Sequence, residues 1–305
     1  MNVIVTGISG FVGANLGLYF KNSDFSITGV SRTPNEDEIS YSDINADVLN
    51  DYYAFIHCAG KAHDLKNITN ESEYFEINTE LTKKLFDDFL DSQCTVFIYL
   101  SSVKAAADEV EGYLDENILP SPVTAYGKSK LAAEEYIQKA KIPTGKRVYI
   151  LRPCMIHGPM NKGNLNVLYN FVSKGVPYPF GKYDNKRSFV SIDNLCFIIS
   201  ELLSNKDIHS GIYNVADDEA LSSVELVKII GKVINKPIKI LSINKSIINI
   251  IGKIGDILPL PVNTERISKL TQNYCVSNAK IKKAMGKELP MSAKSGIERT
   301  IAFFK

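Results

Sequence analysis

The opening stretch of the chain restricts its fold more than any other. Asn2-Val-Ile-Val-Thr6 is a β-branched run that leads directly into Thr6-Gly7-Ile-Ser-Gly10-Phe-Val-Gly13. Glycines at i, i+3 and i+6 remove three side chains where a strand turns into a helix. One lets the chain turn, one lets backbone approach a pyrophosphate, and one lets helix pack on strand. A helix opening at Phe11 and Val12 directs its unpaired N–H groups at an anion. Three glycines alone are a weak signal; their place between an N-terminal strand and a helix makes them a specific one.

The rest of the first half repeats this unit. Strand candidates Phe25–Val30, Ala54–Cys58, Val96–Ser101 and Arg147–Leu151 alternate with helix candidates Phe11–Asn22, Ser72–Ser92 and Tyr126–Ala140. Such alternation predicts βαβ units and a parallel sheet. The apolar runs lack period-two alternation, as strands covered on both faces do. Beyond Pro153 the chain is broken by Gly158-Pro159, Gly163, Gly175, Pro177, Pro179 and Gly181. A strand over Arg187–Ile192, a helix over Asn194–Leu203, a strand over Gly211–Val215 and a helix over Ser222–Val233 follow, the last opening on the capping box Ser222-Ser-Val-Glu225. The expected fold is α/β: a Rossmann-type doubly wound parallel sheet with a smaller C-terminal α/β substrate lobe. The expected division is a dinucleotide-binding domain over 1–160 and a lobe over 161–305 interleaved with it.

Composition narrows the function classes. Thirty-five basic against 34 acidic residues give a net charge of +1, which argues against a nucleic-acid partner while leaving room for a local basic pocket. Cys58, Cys94, Cys154, Cys196 and Cys275 are scattered, odd in number and without a CxxC pair. Neither a disulfide framework nor a metal site is expected. No secretion signal is read, because a strand starts at once. The apolar stretch from Ser246 to Leu260 is interrupted by Lys253, Asp256 and Pro259, so no membrane span is expected. A cytoplasmic location fits these features.

Tyr126-Gly-Lys-Ser-Lys130 carries the sharpest chemistry. Tyrosine and lysine at i and i+4 share a helix face. A phenol with a pKa near 10 is a poor proton donor or base at neutral pH, and a neighbouring ammonium favours its phenolate. A solvated Tyr and Lys is the bland alternative. Ser101-Ser102 ends a strand candidate upstream, at the carboxyl edge of a parallel sheet, where ligands bind. At the end of the second strand, where an acid would bond an adenosine 2′-hydroxyl, stand Ser31 and Arg32. Arginine there suits a 2′-phosphate; NADP(H) is therefore preferred, with NAD(H) as the alternative, and a solvated surface arginine is the bland reading. Asp43 and Ile44 fit the adenine edge. The small residues Cys58, Ala59 and Gly60 let a cofactor lie close.

Together these pieces resemble the extended short-chain dehydrogenases/reductases of the nucleotide-sugar epimerase/dehydratase type, over nearly the whole chain. The matching segments are Thr6–Gly13, His57–Gly60, Asn78, Ser101-Ser102, Tyr126–Lys130, Arg152-Pro-Cys-Met-Ile-His-Gly-Pro159 and Arg187-Ser-Phe-Val-Ser-Ile-Asp193. The resemblance implies Tyr126 as acid/base, Ser102 as polariser and Lys130 as ribose and pKa partner. It implies backbone from Pro153 to Ile156 against the nicotinamide carboxamide, Arg187 on a diphosphate and Asn164 nearby. Arg266 reaches the diphosphate or lies on the surface; Asn78 contacts the ribose side or packs helices. A 4,6-dehydratase of this type carries Thr-Asp-Glu where this chain has Ser102-Val103-Lys104, which disfavours that branch. A 4-epimerase and a 4-ketoreductase remain, and Arg32 favours the latter.

A narrower resemblance rests on Asn161-Lys-Gly-Asn-Leu165, Gly175-Val-Pro-Tyr-Pro-Phe-Gly181, Asp184-Asn-Lys-Arg-Ser188, Lys104 and His63. These are similar to bacterial reductases of UDP-4-keto-6-deoxy-N-acetylhexosamine, which serve surface polysaccharide synthesis. It implies a UDP-linked substrate. His63 and His157 also read as a loop histidine and a packed residue. The resemblance further implies a homodimer through helices bearing Leu81, Leu85 and Phe89, which core packing explains equally well. A non-catalytic dinucleotide sensor is the reading from another class.

Overall fold

The structure, a computed structural model, describes residues 1–61, 71–161, 163–257 and 263–304. The strands are β1 (Asn2–Thr6), β2 (Ser26–Ser31), β3 (Glu38–Ser40), β4 (Ala54–His57), β5 (Val96–Leu100), β6 (Tyr113–Leu114), β7 (Arg147–Pro153), β8 (Met155–His157), β9 (Phe189–Ser191), β10 (Gly211–Val215) and β11 (Cys275–Val276). The helices are α1 (Phe11–Phe20), α2 (Ala46–Leu49), α3 (Glu71–Phe75), α4 (Leu81–Asp91), α5 (Ala125–Lys139), α6 (Asn164–Ser173), α7 (Ile192–Ser204), α8 (Ser223–Val233), α9 (Lys245–Ile257), α10 (Thr264–Thr271), α11 (Ala279–Met285) and α12 (Ala293–Phe303).

Seven strands form one sheet in the order β10-β7-β5-β4-β1-β2-β3, and every pairing in it is parallel. The order reverses direction between β1 and β4, which opens a crevice at the carboxyl ends of those strands. The α/β doubly wound arrangement read from the sequence is the one observed. Successive residues of β1 serve opposite faces: Val3 and Val5 join a core with Leu16, Ile198 and Leu202, whereas Ile4 joins Phe55, Phe86, Phe97 and Ile137. Burial on both sides explains why these strands read as continuous apolar runs.

Leu85 and Phe89 are buried in the second of these cores, and Leu81 packs against it. Leu85 and Phe89, cited for a helical dimer face, are therefore spent inside the molecule, whereas Leu81 is only partly buried. The helix expected over Ser72–Ser92 is not continuous: α3 and α4 are joined by a π-helical turn at Glu76–Glu80, a feature frequent at functional sites. The end of α4 is capped by Lys146, whose Nζ donates to the carbonyls of Phe89, Ser92 and Cys94 at 2.6, 2.7 and 2.8 Å.

Residues after 160 return to the sheet through β10, which pairs with β7. A third apolar cluster gathers Leu165, Val172, Tyr178, Phe189, Val227, Ile230 and Ile297 from α6, α8, α12 and their connections. β8 and β9 form a small parallel pair beside the main sheet. His157 is buried there, its Nδ1 2.9 Å from Thr300 Oγ1, which is the packed reading of that residue. His63 and Lys162 lie outside the described residues.

Candidate active site

The glycine turn takes the form its spacing predicted. Gly7 adopts φ +71, a left-handed conformation that suits glycine. A Cβ on Gly13 would stand 2.3 Å from Gly7 O and 2.6 Å from Ile8 Cα, so α1 packs on the turn only because that atom is missing. No side chain caps α1, and its first N–H groups, at Phe11 and Val12, are left for an anion.

A directional hydrogen-bond chain ties this turn to its neighbours. Thr82 Oγ1 donates to Asn78 O at 2.8 Å, so it accepts from His57 Nε2 at 2.9 Å. His57 Nδ1 then accepts from Thr6 Oγ1 at 2.7 Å, and Thr6 Oγ1 accepts from Ala59 N. The imidazole is neutral: burial and the Lys130 charge lower its pKa to about 3. Each member has one role, and the chain holds the ends of β1 and β4 in register beside the crevice. Asn78 completes the arrangement. Its Oδ1 accepts from Lys61 N at 2.7 Å, and its Nδ2 donates to Lys61 O and to Ser129 Oγ. Asn78 thus pins the segment after β4 to α5, a structural task.

Ser102, Tyr126 and Lys130 are brought together. A cavity of about 240 Å³ at the sheet's carboxyl edge is lined by Cys58, Gly60, Lys61, Ser101, Ser102, Tyr126, Lys130, Pro153, Cys154 and Ile156, with Leu100. The closeness of Tyr126 to Ser102 depends on Gly127, whose absent Cβ would fall 2.4 Å from Lys104 O. That gap lets α5 press against the turn that carries Ser102.

The electrostatics depart from the sequence expectation. Burial raises the Tyr126 phenol above its usual value, the Ser102 hydrogen bond opposes this, and Tyr74 adds to it. The Lys130 ammonium does not win against desolvation. It donates instead to Leu100 O at 2.9 Å and lies 4.9 Å over the Tyr99 ring. Burial lowers Lys130 itself to about 8, with Cys58 and Glu134 opposing. Between that value and 10.5 the unfolded chain holds a proton that the folded chain lacks, so this group makes stability rise with pH there. Below the folded pKa the buried ammonium is a full penalty. Lys130→Met is accordingly expected to be more stable than wild type at pH 7 by on the order of 1–2 kcal/mol, a margin that shrinks as pH rises from about 8 to 10.5. Urea unfolding at pH 7 and at pH 10.5 measures it; a margin that does not depend on pH contradicts the assignment.

Three features escaped the sequence reading. Glu134, one turn beyond Lys130 on α5, is fully buried and accepts from Arg152 Nε at 3.0 Å and from its terminal nitrogen at 2.5 Å. Ser101 Oγ donates to the same carboxylate at 2.5 Å. The i, i+4, i+8 spacing of Tyr126, Lys130 and Glu134 was the available signal. Lys61, also a lining residue, forms an ion pair with Glu73 and lies 5.1 Å over the Tyr74 ring. Tyr74 in turn meets Tyr126 edge-on at 6.2 Å.

The remaining candidates are distributed. Arg32 is exposed at the end of β2, and its charge acts on the Tyr41 phenol, which accepts from Gly7 N at 3.1 Å. Asp43 is exposed and Ile44 is buried in the core. Lys104 and Arg187 line a second cavity of about 230 Å³ with Asp108, Glu109, Ser268, Gln272, Asn273 and Tyr274. Their cationic groups lie 4.3 and 5.9 Å over the Tyr274 ring. Asn164 and Arg266 are exposed and line neither cavity. Asn161 is the residue tied to the site, donating to Ile156 O at 2.8 Å.

Comparison with known proteins agrees with this geometry. UDP-glucose 4-epimerase of Vibrio cholerae is 29% identical over 323 residues, covering 99% of this chain and 95% of that protein. UDP-2-acetamido-2,6-beta-L-arabino-hexul-4-ose reductase of Pseudomonas aeruginosa is 26% identical over 212 residues, covering 68% of this chain and 50% of that protein. The structure of UDP-glucuronic acid 4-epimerase from Bacillus cereus in complex with NAD superposes with a TM-score of 0.76 at 19% identity, over 99% of this chain and 98% of that one. The sequence model of the NAD dependent epimerase/dehydratase family matches residues 3–216, the span that holds the glycine turn, Ser102, Tyr126 and Lys130, and the chain belongs to that family.

Proposed function

We propose that this protein is a nucleotide-sugar 4-ketoreductase that uses NADPH to reduce the C4 carbonyl of a UDP-4-keto-6-deoxy-N-acetylhexosamine. The observation that carries the reading is the hydrogen-bonded pair Ser102–Tyr126 over the first cavity, with burial holding the phenol protonated. Reduction of a ketone calls for an acid at the start; oxidation of an alcohol calls for a base.

The glycine cradle fits a dinucleotide, because the atom that would fill it is missing at Gly13. Gly7, Gly10, Phe11, Val12 and Gly13 would hold the pyrophosphate. Arg32 and Asp43 would meet the adenosine, whereas Ile44 turns its side chain into the core, and Cys58, Ala59, Gly60, Lys130, Pro153 and Ile156 would meet the nicotinamide half. When bound, the cofactor supplies a hydride. Ser102 and Tyr126 donate hydrogen bonds to the oxygen on which charge develops, as oxyanion donors do. Tyr126 then delivers its proton, and Lys130 carries the positive charge that faces the site. Lys104 and Arg187 form the diphosphate end of the substrate site, where their charges flank Tyr274. Asn164 and Arg266, exposed outside both cavities, have no part in this reading.

The 4-epimerase reading is favoured by one specific observation, the full-length similarity to the Vibrio cholerae enzyme. The two are separated by product analysis with UDP-4-keto-6-deoxy-N-acetylglucosamine and C4-deuterated NADPH. The reductase transfers deuterium to sugar C4, as seen by NMR and mass spectrometry. Conversion of a UDP-hexose to its C4 epimer without net NADPH use overturns the proposal, as does cofactor binding without turnover of any keto-sugar, the signature of a sensor. Arg32→Ala is expected to lower the NADPH-to-NADH ratio of kcat/KM by roughly tenfold to a hundredfold, the worth of a lost charged hydrogen bond. A ratio that stays put refutes the phosphate-pairing role.

A further inference from the structure

We infer that Glu134 is a positioning residue of the first cavity: from beneath it, one buried carboxylate fixes the strand ends that carry Ser102 and Pro153 against the helix that carries Lys130. The inference rests on the reading of Ser102, Tyr126 and Lys130 as the reactive set. β5 and β7 are neighbours in the sheet, with Leu100 opposite Leu151. One residue further along, Ser101 and Arg152 both donate to Glu134. Its Oε1 accepts from Ser101 Oγ at 2.5 Å and from Arg152 Nε at 3.0 Å. Its Oε2 accepts from Arg152 Nε at 3.0 Å and from a terminal nitrogen at 2.5 Å. Both oxygens are thus engaged by strand ends. Each donor is next in sequence to a cavity residue: Ser101 precedes Ser102, and Arg152 precedes Pro153 and Cys154. The carboxylate stands one helical turn from Lys130 and two from Tyr126 on α5, about 6 and 12 Å along the axis. Three elements that line the cavity therefore meet at a fully buried group outside its lining. Apolar side chains could fill that space equally well. A carboxylate bound through both oxygens also fixes angles, and angles are what the transfer of a hydride and a proton requires.

Charge gives Glu134 a second hold on the site. The groups that face Lys130 are His57 and Cys58 at the end of β4, Tyr99 of β5, and Tyr126 and Glu134 on its own helix. A Cβ on Gly60 would stand 3.0 Å from its Nζ. Lys61, which lines the same cavity, is paired with Glu73. Burial lowers His57 to about 3 and pushes Cys58 up to about 12. It raises the phenols of Tyr99 and Tyr126 as well. All four are neutral at pH 7. Glu134, held by Arg152, is the carboxylate that opposes the desolvation of Lys130.

The test compares wild type with Glu134→Gln, which keeps the shape and removes the charge, and with the apolar replacement Glu134→Leu plus Arg152→Met. Lys130 is followed in the cofactor-free protein by NMR of carbon-13-labelled lysine, its signal assigned by its loss in Lys130→Met. In wild type it titrates at about 8. In both variants it is expected to titrate lower by roughly one unit, the size of a lost neighbouring charge. Single-turnover hydride transfer from NADPH to the keto-sugar should slow by roughly tenfold to a hundredfold, as misplaced reacting groups do, and its alkaline limb should move to lower pH with Lys130. The apolar replacement is expected to unfold at nearly the wild-type urea concentration, so a role in stability alone predicts wild-type behaviour there. A Lys130 titration or a hydride-transfer rate equal to wild type in that variant overturns the inference. Failure of both variants to fold also overturns it, because the carboxylate is then a structural group. A wild-type protein that transfers no hydride overturns the proposed function instead, and the Lys130 titration, which needs neither cofactor nor sugar, still decides the role of Glu134.

Discussion

Tyr126→Phe is expected to lower turnover by roughly 10²- to 10⁴-fold, the range for removing a positioned general acid, while leaving dinucleotide affinity nearly unchanged. The phenol lines the cavity beside the Ser102 hydroxyl, and of the two it is the more acidic group and so the one able to give up a proton. Its ring packs edge-on against Tyr74, and phenylalanine preserves that contact. Cofactor titration by fluorescence and single-turnover hydride transfer separate binding from chemistry. Full activity in this variant removes Tyr126 from the reaction. Loss of binding in parallel would make it a cofactor contact instead.

Glu134→Ala is expected to destabilise the fold by roughly 3–5 kcal/mol, the cost of leaving one member of a buried ion pair without its partner. Arg152 is 2% exposed and Glu134 is not exposed at all. Removing the carboxylate strips Arg152 of its bidentate acceptor and leaves the Ser101 hydroxyl without the oxygen it donates to. The double variant Glu134→Leu with Arg152→Met should recover most of the loss, because buried pairs replaced by apolar residues are often neutral. Urea unfolding midpoints measure both. A single variant within about 0.5 kcal/mol of wild type, the effect of an ordinary surface change, would mean that water reaches the pair.

Six of the seven strands of the main sheet were legible to within two residues, because each is a short apolar run closed by a glycine, a proline or a polar cluster; the edge strand β3, Glu38–Ser40, is polar at both ends and was not read. Gly211–Val215 has the bounds its pattern predicts. The π-helical turn at Glu76–Glu80 was not legible, because one extra residue in a turn barely disturbs an amphipathic pattern. Leu85 and Phe89 illustrate a second limit. Periodicity says that they share a face, but only the packed Phe86, Phe97 and Ile137 around them say that the face is inward.

What the sequence determined by itself was local: a glycine turn between strand and helix, a tyrosine and lysine one helical turn apart, and strands too apolar to face water. These follow from backbone sterics and from repeat distances of a few residues. Tertiary structure decided everything that depends on how strands are ordered and how deeply groups are buried. It turned Lys130 toward Leu100, kept the Tyr126 proton in place, neutralised His57 between two threonines and joined Glu134 to Arg152. The physical reason is that hydrogen-bond partners and desolvation are properties of distance in space, which the strand order β5-β4-β1 sets and no window of sequence contains.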